Sequence, residues 1–500
     1  MHYPSFQTFD RLARQGNLVP LCREILADTE TPVTALMKLS GGRHTFLLES
    51  MEGGEKWGRY SFIGADPHST FAVLGDDVII ENKTGRLATP HRGDPLGLLR
   101  QFLGRFRPVN VPGLPRFYGG AVGYFSYDMI RHFENLPSQA PDDLGTADAL
   151  FVFTDGMLIF DNLRHTMMVV SSVRIEESAT LREAYGRGIA TIDGIIDSLS
   201  RPLAARRSSA PAADPAPSSN VARERYMEMV ATAREYIHRG DAIQVVLSQR
   251  FRDSLRSSPI DLYRALRYIN PSPYLFHLAF DDVILIGSSP EVMVRLEEGL
   301  VELRPIAGTR RRGTTEQEDR RLADELLQDP KERAEHVMLV DLGRNDLGRV
   351  AETGSVQVTK LMEVERYSHV MHLVSNVQAH TAPGMDCFDV IKAAFPAGTL
   401  TGAPKIRAME IIDELEPTRR GPYGGAVGYI SYSGNMDLCI TIRTIMLAGE
   451  SLYVQTGAGI VAESDPQKEY EETVSKAAGM MEAIRLAASD FHLPGPETEA

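Results

Sequence analysis

Cysteine and tryptophan are scarce in this chain of 500 residues, which contains three cysteines and one tryptophan. Cys22, Cys387 and Cys439 are widely separated, so neither a disulfide framework nor a zinc site built on closely spaced cysteines is expected. This cysteine usage fits a reducing compartment, and we therefore expect a cytoplasmic protein.

Long apolar runs and long basic runs are also missing. No segment approaches the roughly 20 apolar residues of a membrane-spanning helix, and the first residues, MHYPSFQTFDRLARQG, lack the apolar core of a signal peptide. The net charge is −14, and the longest basic run is the three arginines at 310–312. We expect neither a membrane nor a nucleic acid as a partner.

The composition is ordinary for a soluble globular protein, with 43% hydrophobic and 24% charged residues, and the length of 500 residues predicts two to four core-forming units. An Ala/Pro/Ser-rich segment at 200–220 predicts an exposed linker. It separates an N-terminal region, 1–199, from a second region, 221–490, and residues 491–500 resemble a loose tail. Strand-like and helix-like segments alternate irregularly, which predicts an α+β fold with antiparallel sheets flanked by helices.

Two helix-like segments share one layout: DPKERAEHVMLVDL at 329–342 and DPQKEYEETVSKAAGMMEAI at 465–484. Each opens with Asp-Pro, which suits the N-cap and the first position of a helix. Each then has two glutamates three residues apart, on one helix face. The four glutamates are Glu332, Glu335, Glu469 and Glu472.

These glutamates have a structural and a functional interpretation. Acidic residues in a first turn stabilise the helix dipole, and Glu332 follows Asp329 at the spacing of a capping box. The repeated layout favours a site, since four carboxylates brought together repel one another unless a cation lies between them. Oxygen ligands without His or Cys favour magnesium, which also binds anionic groups of a substrate.

A glycine segment, QTGAGIVAES at 455–464, directly precedes the second of these helices. It imitates a dinucleotide fingerprint, but the Asp-Pro at 465–466 leaves no room for the required helix at the glycines. Its backbone N–H groups are better suited to an anion such as a carboxylate. Arg443, in the strand-like LCITIRT, can bind a second carboxylate. These features predict a magnesium-assisted site for a small polycarboxylate.

The chain resembles the chorismate-utilising enzymes over essentially its whole length. The motifs are RPIAGTRRRG (304–313), AEHVMLVDLGRNDLGRV (334–350), VERYSHVMHLVSNV (364–377), GTLTGAPKIRAMEIIDELEP (398–417), YGGAVGY (423–429), IRT (442–444), GAG (457–459) and EYEETVSKA (469–477). Within that family they are most similar to anthranilate synthase component I. The resemblance implies two orthogonally packed antiparallel sheets with helices outside, an α/β/β/α arrangement, and makes 221–490 the catalytic region and 1–199 a regulatory and structural one.

The resemblance also implies residue roles, with chorismate as substrate and magnesium as cofactor. It assigns the metal to Glu335 and Glu472, with Glu332 and Glu469 as their companions. Positions that contact chorismate match Gly308, Thr309, Tyr423, Arg443, Gly457, Ala458 and Gly459. Active-site polar positions match His372, Thr401 and Lys476.

The implied reaction is a lyase reaction in which ammonia attacks C2 of chorismate while the 4-hydroxyl departs. His372 is expected to assist that departure as a general acid or by charge stabilisation. The intermediate, aminodeoxyisochorismate, then loses pyruvate to give anthranilate, the first product on the route to tryptophan. The base that removes the C2 proton is not identified.

Two positions distinguish branches of the family by the absence of a lysine. Aminodeoxychorismate synthases have a nucleophilic lysine where this chain has Ala307, which can form no covalent adduct. Isochorismate and salicylate synthases have a lysine as the base for water where this chain has Gln244. Both residues favour anthranilate as product, with aminodeoxychorismate synthase component I as the alternative. A catalytically inactive sensor is disfavoured because Glu335, Glu472 and His372 are present.

Partner and regulation complete the expectations. None of the cysteines lies in the Gly-rich elbow of an amidotransferase nucleophile, so ammonia is expected from a separate glutaminase subunit or from solution at high concentration. The resemblance implies a heterotetramer of two large and two small subunits. TFLLES (45–50) and NPSPYLF (270–276) match the family's elements for feedback inhibition by tryptophan. A strand end and a turn are the structural alternative, and the family match favours regulation. The matching residues are Glu49, Ser50, Pro273, Tyr274 and Leu275.

The heptapeptide YGGAVGY occurs twice, at 118–124 and 423–429. Paired glycines followed by an alternating strand predict one strand-entry shape in both places. Only the second copy lies among the chorismate motifs. We therefore predict a duplicated shape with a single site, in which Tyr423 contacts substrate and Tyr118 does not.

Overall fold

The structure is a computed structural model that describes residues 2–41, 43–51, 58–176, 179–203, 216–367, 370–489 and 491. Most of the predicted linker, 204–215, and the tail after 491 lie outside the described residues. The helices are α1 (Phe6–Leu12), α2 (Pro32–Leu39), α3 (Pro95–Leu103), a 3₁₀ turn (Tyr127–His132), α4 (Leu181–Leu199), α5 (Arg223–His238), α6 (Pro259–Ile269), α7 (Glu316–Gln328), α8 (Pro330–Gly348), α9 (Cys387–Ala394), α10 (Gly398–Thr401), α11 (Lys405–Leu415) and α12 (Pro466–Ala488).

The strands of the first half are β1 (Leu18–Leu26), β2 (Thr45–Glu49), β3 (Tyr60–Ala65), β4 (Ser69–Leu74), β5 (Asp77–Asn82), β6 (Gly85–Pro90), β7 (Gly120–Phe125), β8 (Ala149–Phe153), β9 (Gly156–Asp161) and β10 (Thr166–Arg174). Those of the second half are β11 (Ser218–Ser219), β12 (Gln244–Ser254), β13 (Tyr274–Phe280), β14 (Val283–Ser289), β15 (Val292–Glu297), β16 (Leu300–Leu303), β17 (Ile306–Arg311), β18 (Gln357–Arg366), β19 (Val370–His380), β20 (Gly402–Ala403), β21 (Ala426–Ser431), β22 (Met436–Ile440), β23 (Thr444–Ala448) and β24 (Ser451–Ile460).

Two 12-stranded antiparallel sheets form the centre of the molecule. The first has the order β1-β10-β9-β3-β2-β13-β14-β23-β24-β12-β11, with β20 also on β12, and the second has the order β17-β19-β16-β15-β22-β21-β7-β8-β4-β5-β6, with β18 also on β19. Aromatic and aliphatic side chains of both sheets, such as Phe46, Phe276, Tyr124 and Tyr429, form the core between them. Helices α2, α4, α6 and α12 pack on the outer face of the first sheet, and α3 and α9 on that of the second. The predicted α+β fold is confirmed.

Both sheets cross the boundary predicted at 200–220. Strand β2 pairs with β13 in the first sheet, and β7 pairs with β21 in the second. The hydrophobic clusters likewise contain residues from both 1–199 and 221–490. The two regions therefore share one pair of sheets, and their division into regulatory and catalytic parts remains a prediction. None of the helices in the described ranges has the length and apolar character needed to cross a membrane.

The strand order reveals an internal duplication. In the first sheet the series β1-β10-β9-β3-β2 is repeated in reverse as β13-β14-β23-β24-β12, so a pseudo-two-fold axis passes between β2 and β13. Short sequences repeat with it: IGADP at 63–67 and IGSSP at 286–290. In both, the glycine leaves room for a phenylalanine ring, because a Cβ on Gly64 would meet Phe46 at 2.4 Å and one on Gly287 would meet Phe276 at 2.0 Å.

The two YGGAVGY copies are the corresponding strands of the second sheet, and they pair with each other. Gly123 lies opposite Gly428, with Tyr124 opposite Val427 and Val122 opposite Tyr429. A Cβ on either glycine would collide with a neighbouring backbone, at 1.9 Å from Leu150 O for Gly123. The repeated heptapeptide thus has a structural cause, since close-packed strands are needed on both sides of the axis. By the same strand order, β22, β15, β16 and β19 of the second half correspond to β8, β4, β5 and β6 of the first.

Candidate active site

His372 lies on β19 beside a bulge in the neighbouring strand β17. The register between these strands shifts between Ala307 and Thr309, so Gly308 is the extra residue, with a φ of 63° that favours glycine. The Nδ1 atom of His372 lies 2.9 Å from the Gly308 carbonyl and 3.1 Å from Oγ1 of Thr309. Burial lowers the pKa of His372 to about 4, and Arg443 contributes to the shift. The imidazole is therefore neutral near pH 7, with Nδ1–H donating to the Gly308 carbonyl.

The two Asp-Pro segments form the predicted helices α8 and α12. Asp329 accepts hydrogen bonds from the backbone N–H groups of Lys331 and Glu332, and Asp465 accepts one from Lys468. These N-caps place the glutamates in the first two turns, as the sequence predicted. Arg310 of β17 forms an ion pair with Glu332 at 3.0 Å, which ties the bulged strand to α8.

The glutamates of α8 and α12 lie within electrostatic reach of shared lysines. Glu335 accepts a hydrogen bond from Gln244 Nε2 at 3.2 Å, and burial together with the charge of Glu332 raises its pKa. Glu472 pairs with Lys476 at 2.7 Å. Lys476 on α12 also lowers the pKa of Glu335 on α8, so the two glutamate helices face a common space.

The glycine strand β24 forms the floor of that space. A Cβ on Gly457 would lie 2.8 Å from the Tyr423 hydroxyl, and one on Gly459 would lie 2.5 Å from Nε2 of Gln244. Both glycines are thus required for close approach of a polar side chain rather than for a turn. The Gly457 carbonyl also accepts a hydrogen bond from Lys476 Nζ at 3.0 Å. Between the two glycines, Ala458 is buried and pairs with Leu247 of β12.

The charge of Arg443 acts on both His372 and a buried carboxyl group, that of Glu291. Arg443 occupies the turn between β22 and β23 with a φ of 48°, and its carbonyl accepts a hydrogen bond from the Ser288 N–H at 3.1 Å. Its charge lowers the pKa of His372 and also that of Glu291. Arg443 therefore lies within electrostatic range of both groups, as expected for an arginine that meets an anionic substrate beside them.

Glu291 is a site residue that the sequence analysis missed. It is buried in the link between β14 and β15, and burial raises its pKa to about 8, with Thr399, Arg443 and Lys476 opposing the shift. The Thr399 hydroxyl donates to its carboxylate at 3.0 Å. The local sequence SSPEVM resembles an ordinary turn, so only the repeat of IGADP as IGSSP could have drawn attention to this position.

Thr401 lies at the end of the short helix α10, fully buried. Its hydroxyl donates to the Ala397 carbonyl at 3.3 Å within its own turn. The next two residues form β20, which pairs with Gln244 and Val245. Thr401 is thus held beside the backbone of Gln244, although its hydroxyl contacts no other predicted site residue in the described structure.

A magnesium ion fits these residues if the substrate completes its coordination. In the ranges that the structure describes, no three His, Cys, Asp or Glu side chains are grouped so as to hold a metal ion. Two carboxylates offer oxygen atoms, Glu335 beside Gln244 and Glu472 beside Lys476, and magnesium typically binds one or two carboxylates together with water and substrate oxygens. Burial raises the pKa of Glu335 and of Glu469, and the neighbouring carboxylates of Glu332 and Glu472 add to the shift. The donor set consists of oxygen atoms, as magnesium prefers.

The residues predicted to bind tryptophan line a single cavity of about 50 Å³ between the two sheets. They are Glu49, Ser50, Pro273, Tyr274 and Leu275. Below we call this cavity the regulatory pocket. Its wall includes Asp437, which accepts a hydrogen bond from Tyr274 at 2.8 Å and one from Arg295 at 3.0 Å. Glu49 pairs with Arg267 and accepts from the Tyr263 hydroxyl at 2.8 Å.

Comparison with known proteins identifies the family. The model of the chorismate binding enzyme family matches residues 44–482. The chain belongs to the chorismate binding enzyme family. The predictions of this family and of an enzyme are therefore confirmed.

Relatives within the family cover nearly the whole chain. Anthranilate synthase component 1 of Acetivibrio thermocellus is 47% identical over 97% of this chain and 99% of its own length. The protein of the same name from Pseudomonas putida is 48% identical over 96% and 98%. The crystal structure of anthranilate synthase component I from Streptococcus pneumoniae TIGR4 has a TM-score of 0.78 and 38% identity, and the match covers 91% of this chain and 99% of that one.

Proposed function

We propose that the chain is the large subunit of an anthranilate synthase, which converts chorismate and ammonia to anthranilate and pyruvate. Its product would enter tryptophan biosynthesis. The observation that best supports this function is the space between α8 and α12, where Glu335, Gln244 and the glycine strand meet. The near full-length similarity to anthranilate synthase component 1 proteins supports the same reaction.

Chorismate has two carboxylates, and the site offers separate groups for each. Arg443 provides a guanidinium near His372 and Glu291. The glycines at 457 and 459 leave the backbone of β24 open to a flat ligand beside the Tyr423 hydroxyl. We propose that Arg443 binds one carboxylate of chorismate. The other carboxylate would lie at the end of the site where Glu335 and Glu472 would hold magnesium, and the ring would lie across Gly457 to Gly459.

Departure of the 4-hydroxyl requires a proton, and Glu291 is better suited to donate it than His372. A carboxylic acid with a pKa of about 8 retains its proton at neutral pH, whereas an imidazole with a pKa of about 4 is already neutral there, and its remaining N–H is a very weak acid. The proton of Glu291 would pass to the leaving oxygen, which departs as water. The neutral His372, which donates to the Gly308 carbonyl, would then stabilise the bulge that shapes the site.

The nucleophile is ammonia, and Gln244 is placed to orient it. The Nε2 atom of Gln244 donates to Glu335, while its Oε1 atom is buried and has no hydrogen-bond partner among the described residues. An amide oxygen can accept a hydrogen bond from ammonia. Ammonia has a free lone pair and needs no base, unlike water, so a glutamine suffices at this position.

Magnesium would be held by Glu335 and Glu472, with Glu332 and Glu469 behind them. When bound, it supplies Lewis-acid polarisation of a substrate carboxylate and a fixed orientation of the ring. Glu335 is itself oriented by Gln244. Removal of either carboxylate is therefore expected to remove the metal dependence together with turnover.

Ammonia supply and regulation follow from the same family. The name component 1 of the relatives refers to a multi-component enzyme, and we propose a glutaminase partner in a heterotetramer of two large and two small subunits. The three cysteines of this chain are buried, so none is placed as an exposed amidotransferase nucleophile. Tryptophan would bind in the regulatory pocket, where Glu49 and the Arg295–Asp437 pair can meet its charged backbone groups.

Product identity is the test of this proposal. The purified chain is incubated with chorismate, magnesium and an ammonium salt, and products are separated by chromatography with fluorescence detection. We expect anthranilate and pyruvate in equal amounts. Accumulation of aminodeoxychorismate instead would favour the aminodeoxychorismate synthase alternative, which Ala307 disfavours because that position lacks the lysine nucleophile.

A further inference from the structure

A second, much larger cavity lies between the sheets and is not used by the proposed function. It measures about 1050 Å³. Its wall includes the following residues from both sheets: His44, Thr45, Ala72, Tyr124, Leu150, Ala279 and Phe280. We call it the twin pocket, because the pseudo-two-fold axis relates it to the regulatory pocket.

The second sheet provides one half of this relation. Tyr124 of β7 corresponds to Tyr429 of β21, through the paired heptapeptides. In the strands that follow outward, Ala72 of β4 pairs with Leu150 of β8, and Arg295 of β15 pairs with Asp437 of β22. Ala72 therefore corresponds to Arg295, and Leu150 corresponds to Asp437. Tyr124, Ala72 and Leu150 line the twin pocket, and their counterparts line the regulatory pocket.

The first sheet provides the other half. Leu47 pairs with Ile63 as His277 pairs with Ile286, and Leu47 also pairs directly with His277, so these two residues mark the axis. Counting outward from them, His44 corresponds to Tyr274 and Thr45 to Leu275. In the same way Ala279 corresponds to Glu49 and Phe280 to Ser50. The residues on each side again line the two respective cavities.

The substitutions across the axis change the chemistry of the pocket. The regulatory pocket contains the carboxylates of Glu49 and Asp437 and the guanidinium of Arg295, and the twin pocket has Ala279, Leu150 and Ala72 at those positions. Loss of these side chains removes the charges and contributes to the difference between about 50 and about 1050 Å³. A charged ligand would find no buried counter-charge at these three positions, so the inner part of the twin pocket suits a neutral one.

Hydrogen-bonding groups nevertheless remain in the wall. The hydroxyl of Tyr124 and Nδ1 of His44 are buried and have no hydrogen-bond partner among the described residues. The same is true of both ring nitrogens of His277, which also lines the cavity. Nε2 of His44 faces Asp281 at 3.4 Å, so it holds the ring proton and leaves Nδ1 as an acceptor. Unpaired buried groups are rare in folded proteins, and a ligand with a donor would pair them.

We propose that the twin pocket binds a neutral, flat and largely apolar molecule of aromatic type that has one hydrogen-bond donor. The apolar wall of Ala72, Leu150, Ala279 and Phe280 would cover its faces, and the Tyr124 hydroxyl would accept its donor. Charged side chains also line the cavity, namely Arg43, Glu81, Arg86, Asp281 and Asp282, and its volume is that of a small-molecule site. This inference does not depend on the reaction that the chain catalyses.

The test is calorimetric titration of the full chain with indole, a neutral aromatic with one N–H, and with benzoate, an anion of similar size. We expect saturable binding of one indole per chain and at least tenfold weaker binding of benzoate. Ala72→Met, which fills the pocket with an apolar side chain, should weaken indole binding at least tenfold. Absence of saturable indole binding, equal affinity for benzoate, or unchanged affinity in Ala72→Met would each overturn the proposal.

Two further measurements keep the result interpretable if Ala72→Met folds poorly. Tyr124→Phe removes a hydroxyl that has no partner, so we expect thermal unfolding close to that of the wild type and indole binding weakened several-fold. The matched change across the axis, Tyr429→Phe, should leave indole affinity unchanged. The proposal fails if Tyr429→Phe weakens binding and Tyr124→Phe does not, or if saturating tryptophan displaces indole, since indole would then occupy the regulatory pocket.

Discussion

At the scale of single residues, the site depends on glycines that leave room for other side chains. Gly459 is the clearest case, because a Cβ there would lie 2.5 Å from Nε2 of Gln244. In Gly459→Ala, Gln244 must move and its hydrogen bond to Glu335 breaks. We expect a fall of about 100-fold in kcat/KM, as for other small misplacements of catalytic groups.

The control for this change is Gly479→Ala on α12, where a Cβ meets nothing within 4 Å. Alanine there should keep activity and slightly raise the melting temperature, since it favours the helix. Steady-state kinetics of both variants measure kcat/KM, and thermal unfolding shows whether each variant is folded. Equal activity of Gly459→Ala and the wild type would show that the approach of Gln244 to β24 is unimportant for turnover.

Glu291 gives the second prediction at this scale. If its carboxylic acid protonates the leaving hydroxyl, Glu291→Gln should lower kcat by about 10² to 10⁴, the usual contribution of a positioned acid. In the wild type the rate should fall as the pH rises above about 8, where the acid loses its proton. A Gln variant with wild-type activity, or a wild-type rate that stays constant well above pH 8, would contradict the assignment.

The same carboxyl group has a consequence for stability. The folded protein holds a proton on Glu291 up to about pH 8, whereas the unfolded chain releases it near the ordinary value of 4.5. Stability from this group is therefore complete below that ordinary value and decreases as the pH rises through about 8. In Glu291→Gln this dependence should be absent. Urea unfolding of both proteins at about pH 6 and about pH 9 measures the difference in slope.

At the scale of secondary-structure elements, β7 and β21 form the junction of the two halves in the second sheet. A Cβ on Gly123 would lie 1.9 Å from Leu150 O, and one on Gly428 would lie 2.0 Å from Asp437 O. We expect Gly123→Ala and Gly428→Ala each to lower the free energy of unfolding by about 3 kcal/mol, the upper part of the range for overpacked interiors. Denaturant unfolding measures this loss.

The control for this pair is Gly186→Ala on α4, where a Cβ meets nothing within 4 Å. This variant should be as stable as the wild type or slightly more so. If Gly123→Ala and Gly428→Ala unfolded like Gly186→Ala, the close approach of these strands would have no energetic importance.

Much of this architecture could be predicted from the sequence, and the remainder depends on contacts between distant segments. The Asp-Pro caps and the glutamate spacing are local patterns, so they predicted the two helices. The position of the glycines of 455–464 within strand β24 depends on pairing with the distant strand β12. The pairing of Gly123 with Gly428 joins residues about 300 positions apart, and no local pattern encodes it. The role of Glu291 rests on its burial, which a polar sequence such as SSPEVM does not reveal.

At the scale of the whole molecule, the regulatory pocket and the active site share strands. Strand β21 begins just after Tyr423, which contacts the glycine strand, and continues to Tyr429 in the wall of the pocket. A ligand that separates the two sheets at Tyr429 can therefore shift Tyr423. This arrangement provides a physical link for feedback, for which a coupling of about 1 to 3 kcal/mol is typical.

The corresponding prediction concerns Ser50→Phe, which places a large side chain in the wall of this small pocket. We expect inhibition by tryptophan to be lost while the uninhibited rate changes by less than about threefold. Initial rates measured across a tryptophan titration test this, with the wild type in parallel. Inhibition that persists unchanged in Ser50→Phe would place the tryptophan site elsewhere.

The central claim is that one magnesium-dependent site in the second half converts chorismate and ammonia to anthranilate. The most direct measurement is the initial rate of anthranilate fluorescence with chorismate and an ammonium salt, as magnesium is titrated into the wild type and into Glu335→Gln. We predict a saturable magnesium dependence in the wild type and no magnesium-dependent turnover in the variant, which should unfold at a similar temperature. Magnesium-dependent anthranilate formation by a folded Glu335→Gln protein, or none by the wild type, would contradict the account.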